Sequence, residues 1–362
     1  MGQGGVRGMR WLFGMLTLMV GLAVLSVIPG LNVLSLGYLL EVSGRVARVG
    51  KLRAGFIGIQ KAATLGSIVL GTWLVLWPVR LAAGFWEDAE VIVPGGDSAR
   101  NWRLVVGMIS ALTLWHIAWA GVRGGKLRHF LWPAPVKFFR WLSRPDKYVT
   151  IRNGVLEYVA GLRLPYYFWL GLRGFAGAVA WLLVPVSILM LAAKLPAAPG
   201  LLLSLPGMFL MFLVVLHLPF LQAHFACTNR FKSLFEVREV RRMFQRAPIA
   251  WWTALLATLL FALPLYILKV ELTPRDLAWL PSLLFVAFIF PARVLTGWAV
   301  GRAIRREEPR HWFFRWLSRF AILPVAGFYV LFVYLTQFYA WSGSLSLLEQ
   351  HAFLVPAPLF GL

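Results

Sequence analysis

Seven stretches of this chain are long and apolar enough to cross a lipid bilayer, and nothing else in the sequence constrains the fold as strongly. They run Ala62–Trp86, Leu104–Gly121, Gly174–Ala193, Leu201–Ala226, Trp251–Leu268, Ala278–Gly301 and Phe320–Trp341. A helix needs roughly 20 mainly apolar residues to cross the hydrocarbon core. Inside that core every backbone polar group must find its partner within the protein, which leaves helices for runs of this kind. The sequence therefore predicts an all-α fold, a polytopic transmembrane helical bundle forming one integral membrane domain over residues 1–362. Composition closes off the alternatives. The chain is 60% hydrophobic and 14% charged, where a soluble domain carries about 25% charged residues. A soluble fold has no way to cover so much apolar surface, and a disordered chain needs the opposite balance. The single cysteine, Cys227, excludes a disulfide scaffold.

The charges are unbalanced and unevenly placed. Thirty-six Lys and Arg face 14 Asp and Glu, a net charge of +22. In a soluble chain that surplus would point to nucleic acid. Here it is sorted between alternate connections, and no nucleic-acid partner is expected. Residues 41–61 carry Arg45, Arg48, Lys51, Arg53 and Lys61 against Glu41. Residues 123–165 carry nine basic residues against Asp146 and Glu157, while 225–250 and 302–319 each carry six against two. The intervening connections hold Glu87, Asp88, Glu90 and Asp97 against Arg100 and Arg103, then Lys194 alone, then a balanced 269–277, then Glu349 in the tail. Lys and Arg are retained on the cytoplasmic side during insertion. The basic set is thus expected inside and the C-terminus outside.

Residues 11–40 are apolar but interrupted by Pro29-Gly30 and Asn32. Arg7 and Arg10 favour a cytoplasmic N-terminus, which with the basic 41–61 segment requires a hairpin or re-entrant element broken at Pro29. One long kinked helix with the N-terminus outside is the other arrangement. The run is too long for a signal-peptide core and no small-x-small cleavage site follows it. Val6 stands where a myristoylation signal needs Ser or Thr. Trp11, Trp86, Trp102, Trp251, Trp252, Trp279 and Trp341 fall at span ends, where indoles settle among headgroups.

One heptapeptide occurs twice: Phe138-Phe139-Arg140-Trp141-Leu142-Ser143-Arg144 returns unchanged as residues 313–319. Each copy follows an Arg-His-aromatic triplet, Arg128-His129-Phe130 and Arg310-His311-Trp312. The pair marks a possible parallel pseudo-repeat around 128–144 and 310–319, or two interfacial helices shaped by the same surface. On a helix Lys137, Arg140 and Arg144 share one side, while Phe138, Trp141 and Leu142 share another. That pattern suits a helix in the membrane plane, its guanidinium groups among lipid phosphates. Lys137, Arg140, Arg144, Arg315 and Arg319 are the lipid-headgroup candidates. Residues 229–246 show a similar stripe, with Phe231, Leu234, Phe235, Val240, Met243 and Phe244 beside Arg238, Arg241, Arg242 and Arg246.

Chemistry inside the spans is sparse. No carboxylate falls in an apolar window, and the cations are Arg80 near an outer end, Arg173 at an inner end, and Arg293. The first two can snorkel. Arg293 lies about nine residues from Arg302, which puts it ~13 Å deep, near the middle of a ~30 Å core. Pro291 beside it frees the carbonyl of Ala287. A guanidinium at that depth is either a structural group bonded to helix carbonyls or an anion or lipid-phosphate site, and Arg293 is the one substrate or anion candidate. His116, His217 and His224 have no metal-ligand spacing and read as polar interhelical contacts. Gly121-Val122-Arg123-Gly124-Gly125-Lys126 lacks the flanking Gly and Ser or Thr of a phosphate loop, so its glycines read as a helix end. No metal, cofactor or catalytic residue is expected.

Ile28-Pro29-Gly30-Leu31-Asn32, followed by Leu36-Gly37-Tyr38-Leu39-Leu40-Glu41-Val42 and a basic run, resembles the opening of an uncharacterised bacterial family of multi-pass membrane proteins carrying a domain of unknown function. The resemblance is firmest over about residues 28–70. It implies a bacterial inner-membrane protein and transfers no catalytic residue. Two readings of function follow. In the first, a non-enzymatic membrane protein engages anionic lipid or a protein partner through its basic-aromatic cytoplasmic face. In the second, a permease or flippase-like carrier lines the path of an anionic or amphipathic substrate with Arg293.

Overall fold

The computed structural model describes residues 3–142, 146–267, 279–340, 343–348 and 353–354. Among them are fourteen α-helices and no strand: α1 Gln3–Val27, α2 Asn32–Val49, α3 Ile59–Val75, α4 Trp77–Ile92, α5 Asp97–Val122, α6 Leu127–Leu131, α7 Pro135–Leu142, α8 Asp146–Ala160, α9 Leu164–Ala192, α10 Ala197–Thr228, α11 Val237–Arg246, α12 Pro248–Ile267, α13 Trp279–Ile304 and α14 Trp312–Thr336. Seven helical stretches are long and apolar enough to span a membrane: Arg7–Val27, Ile59–Ile92, Asp97–Val122, Val149–Ala192, Ala197–Thr228, Trp279–Ile304 and Trp312–Thr336. The pair α11 and α12 reaches the same length and apolarity only when taken together, across a break bent by 113°. The expected all-α polytopic architecture holds. Ser143, Arg144, Trp341 and the connection 269–277 lie outside the described residues.

The chain divides into two compact units. One is Met1–Leu18 with Gly58–Leu162, and the other is Met19–Ile57 with Arg163–Leu362. In the first, Gly14 and Gly66 let α1 and α3 approach closely, Gly14 against the Ile59 carbonyl and Gly66 against Thr17. α4 and α5 pack side by side, with Phe85 stacked on Trp102 at 5.1 Å. α5 ends as its glycines suggest: the Gly125 N–H reaches the Ala120 carbonyl and the Gly124 N–H reaches Gly121. This is the paired bonding of a Schellman cap, with Gly124 at φ 100°.

The second unit is organised around α2. The turn at Pro29-Gly30 separates it from α1, and Ser26 Oγ donates to Ser35 Oγ at 2.9 Å. A continuous helix rising ~1.5 Å per residue would hold those two residues about 13 Å apart. Every residue of α2 from Ser35 to Gly44 is buried, because α9, α10 and α13 surround it. Hydropathy misses such a helix, since Glu41, Arg45 and Arg48 lower its average. It packs through small residues. Gly297 and Gly301, one turn apart on α13, lie on Ser43 and Ala47 of α2, and Gly37 of α2 faces Gly171 of α9. Helices in lipid associate chiefly through such close backbone packing. The sequence boundary at residue 40 was therefore misplaced: the helix continues to Val49 and carries Glu41 into the core.

Candidate functional site

Three basic segments of the second unit meet at one end. The Arg305 guanidinium donates to the Ala47 carbonyl and Arg48 to those of Ala226 and Cys227. Arg306 donates to the Arg246 carbonyl, and the backbone N–H of Arg310 to that of Gln245. Arg173, instead of snorkelling freely, donates to the side-chain and backbone oxygens of Asn229. The cations thus cap helix C-terminal carbonyls, where the helix dipole favours positive charge. Beneath them lies the carboxylate that hydropathy hid. Glu41, 4% exposed, pairs with Arg48 and accepts from the Tyr166 hydroxyl at 2.7 Å.

α11 stands at this end, but its apolar stripe does not face lipid. Val240 and Met243 are buried in the core of the unit and Phe244 packs beside them, leaving Arg238, Arg241 and Arg242 exposed. The stripe read over 229–246 is also broken, with a 3-10 turn over Phe231–Phe235 before α11. His224 bonds to Glu236 at 3.0 Å, and that bond holds the Glu236 carboxyl below the usual carboxylate range. Among the other histidines, His116 contacts the Phe130 carbonyl of α6, whereas His217 bonds within its own helix to Leu213. No cluster of metal-ligating residues occurs among the described residues.

Of the headgroup candidates, Lys137, Arg140 and Arg319 are exposed and Arg315 is half-buried, while Arg144 lies outside the described residues. The aromatic side expected to enter lipid is different from the one observed. On α7, Phe138 and Trp141 pack on Trp119 of α5, at 5.2 and 5.6 Å. The exposed apolar edge is instead Val136, Phe139 and Leu142, with Trp132 just before the helix. Trp251, assigned to a span end, is likewise a core residue stacked on Phe220 at 3.8 Å.

Arg293 is 3% exposed on α13, as its depth suggests. Its Nη1 donates to the side-chain oxygen of Gln222 on α10 at 2.7 Å, a partner that no sequence spacing indicated. A cavity of about 10 Å³ adjoins it, lined by Pro219, Thr258, Ile289, Ala292 and Thr296. That is room for roughly one water molecule.

Helices of membrane-crossing length, a buried guanidinium and a cationic end define a polytopic α-helical membrane protein. Residues 164–270 match a family described as "Protein of unknown function (DUF4013)". The match covers α9 to α12, under a third of the chain, and includes Gln222 but neither α2 nor Arg293. It falls apart from residues 28–70, where the sequence resemblance was read. No curated protein and no solved structure matches the chain.

Proposed function

We propose that this chain is a non-enzymatic multi-pass protein of a bacterial inner membrane, and that its basic end faces the cytoplasm and holds anionic lipid headgroups. The convergence of residues 45–53, 226–246 and 302–319 at one end of the second unit carries the reading. Exposed Arg238, Arg241, Arg242 and Arg319 share that end with exposed Phe313, Trp316, Leu317 and Phe320. Aromatics that enter the acyl region and cations that stay with phosphates are the two halves of an interfacial anchor. In the first unit, Lys137 and Arg140 beside Phe139 and Leu142 repeat the combination. With the basic end inside, α14 runs outward and its end at Thr336 lies outside.

Native mass spectrometry of the full chain released from membranes tests this. Anionic phospholipid is expected to be retained over zwitterionic lipid, and the preference should fall severalfold when Lys137, Arg140, Arg315 and Arg319 are all changed to Gln. Equal retention of both lipid classes by the parent protein rejects the reading. A carrier of an anionic or amphipathic substrate is the second reading, favoured by Arg293 alone. Arg293→Gln that preserves both folding and any growth phenotype removes its support.

A further inference from the structure

In the first unit, the end of α5 gathers donors that have no acceptor. His116, Trp119 and Arg123 recur at helical spacing and share one face. Trp119 is 5% exposed, yet its indole N–H has no hydrogen-bond partner among the described residues. The same holds for the indole N–H of Trp141 on α7, whose ring lies 5.6 Å from that of Trp119. It holds again for Nε of Arg123, whose guanidinium lies 5.5 Å from the Trp119 ring. Buried indole and guanidinium N–H groups ordinarily find an acceptor, because an unpaired one forfeits its hydration for nothing.

The carbonyls nearby are already in use. Arg123 Nη2 donates to those of His129 and Trp132, and His116 Nε2 donates to that of Phe130 at 2.7 Å. His116 Nδ1, left as an acceptor, lies a turn away from Trp119 and pairs with none of the three donors. No Asp or Glu occurs between Arg103 and Pro145, a stretch that holds Arg123, Lys126, Arg128, Lys137, Arg140 and Arg144. Three orphan donors inside an all-cationic segment call for an anionic oxygen from outside the chain, and a phosphate group supplies several. The exposed apolar side chains of Trp132, Val136 and Leu142 stand beside them, which suits a phosphate that carries acyl chains. The cover over the donors is weakly held. No residue of α7 is buried, and Ala134 in the Pro133-Ala134-Pro135 link to it has φ 47°, a left-handed conformation that a residue with a Cβ disfavours. A small displacement of α7 is enough to admit an oxygen between the two helices.

We propose that Trp119, Trp141 and Arg123 bind the phosphate group of one phospholipid at the junction of α5 and α7. This deepens the headgroup role proposed above and rests on it for the placement of α7 among headgroups. The test uses the full chain labelled with indole-15N tryptophan, in phosphatidylglycerol nanodiscs and a phosphate-free buffer, so that lipid is the only source of phosphorus. Solid-state 15N–31P dipolar recoupling then reads which indoles hold a phosphate. A headgroup that merely diffuses past averages the coupling away, whereas a bound one leaves it at a separation of about 4 Å, a hydrogen bond plus one P–O bond. Two indole signals should be dephased by phosphorus. Trp141→Phe, at the half-buried position, should remove one of them and Trp119→Phe the other. Arg123→Lys keeps both rings and the charge but loses the guanidinium N–H, and should weaken both signals at least twofold. The same protein in phosphorus-free maltoside detergent with added inorganic phosphate should show no coupling.

A parent protein with no dephased indole overturns the site whatever the variants do. Dephased signals that survive both Trp141→Phe and Arg123→Lys overturn it as well, because they then belong to other tryptophans. Coupling to inorganic phosphate in detergent, with none in nanodiscs, makes the ligand a free anion and overturns the lipid. A preference for anionic lipid without the coupling rejects this site alone. Coupling without that preference rejects only the general reading of the basic end, since zwitterionic lipids carry a phosphate too.

Discussion

Phe138–Leu142 and Phe313–Leu317 are the same five residues in the same order, yet they meet the protein with different sides. In the first copy Phe138 and Trp141 turn inward onto Trp115 and Trp119, and Phe139 is exposed. In the second copy Phe313 and Trp316 are exposed and Phe314 is half-buried under Arg310, whose guanidinium lies 4.6 Å from its ring. The first copy forms an eight-residue helix, and the second opens a 25-residue helix. An aromatic-basic peptide thus carries more than one usable apolar face. α5 offers the first copy an indole shelf. The second copy is fixed in rotation by the long helix it begins, which buries Ser318. Equal sequence here means equal chemistry at the bilayer surface, without an equal docking surface.

The strongest way to break this contrast is to truncate one ring at a time. Phe138→Ala should cost about 2 kcal/mol, because the ring leaves a packed indole nest. Phe313→Ala should stay within about 0.5 kcal/mol, as expected of an exposed site. Thermal unfolding in lipid nanodiscs reads both, and equal losses would mean that the copies dock alike. A smaller effect belongs to the second copy's last residue. Arg319 lies 5.4 Å from the Trp316 ring and 5.7 Å from that of Phe244. Arg319→Gln should cost about 0.5–1 kcal/mol in the same assay, the range of a partly exposed cation–π contact. No loss would show that Arg319 serves lipid alone.

The smallest effect separates the two neighbourhoods by pH. Burial, with Arg123, Arg128, Lys126 and Lys137 nearby, lowers the pKa of His129 below its ordinary 6.5. The unfolded chain then takes up a proton before the folded one, so stability near α6 and α7 falls as pH drops below about 6.5. Glu236 is also lowered, from 4.5, chiefly by the His224 hydrogen bond. Its contribution is complete above the unfolded value and is lost only as pH falls through the folded one, under about 4.5. Hydrogen exchange should therefore loosen 127–142 at a higher pH than 230–246. His129→Gln should remove the first step and Glu236→Gln the second. A single shared midpoint would count against the assignment.

Much of this was legible in the residues. Six of the seven apolar windows coincide with helices of membrane-crossing length, and the seventh falls on α12. The glycines after Val122 end a helix as their spacing suggests, and Arg293 is buried as its depth requires. Glu41 was not legible. An acidic residue four places before Arg45 reads as the start of a solvated segment until three helices are seen around it. Gln222 gave no signal either, because an amide within an apolar run has no characteristic spacing. Phe353 read only as part of the tail, with no sign that its carbonyl meets Gln222.

The sequence by itself determined the state of the chain: helices of bilayer length, sorted basic connections, and amphipathic aromatic segments between them. Those properties are sums over neighbouring residues, and transfer free energy and helical periodicity act locally. Only the tertiary structure decided which face of each heptapeptide docks, that α2 lies at the centre with its carboxylate, and that Arg293 answers to Gln222 and through it to Phe353. Those outcomes depend on partners distant in sequence, from Trp119 for Phe138 to Phe353 for Gln222, and close packing selects one partner among many that hydropathy treats as equivalent.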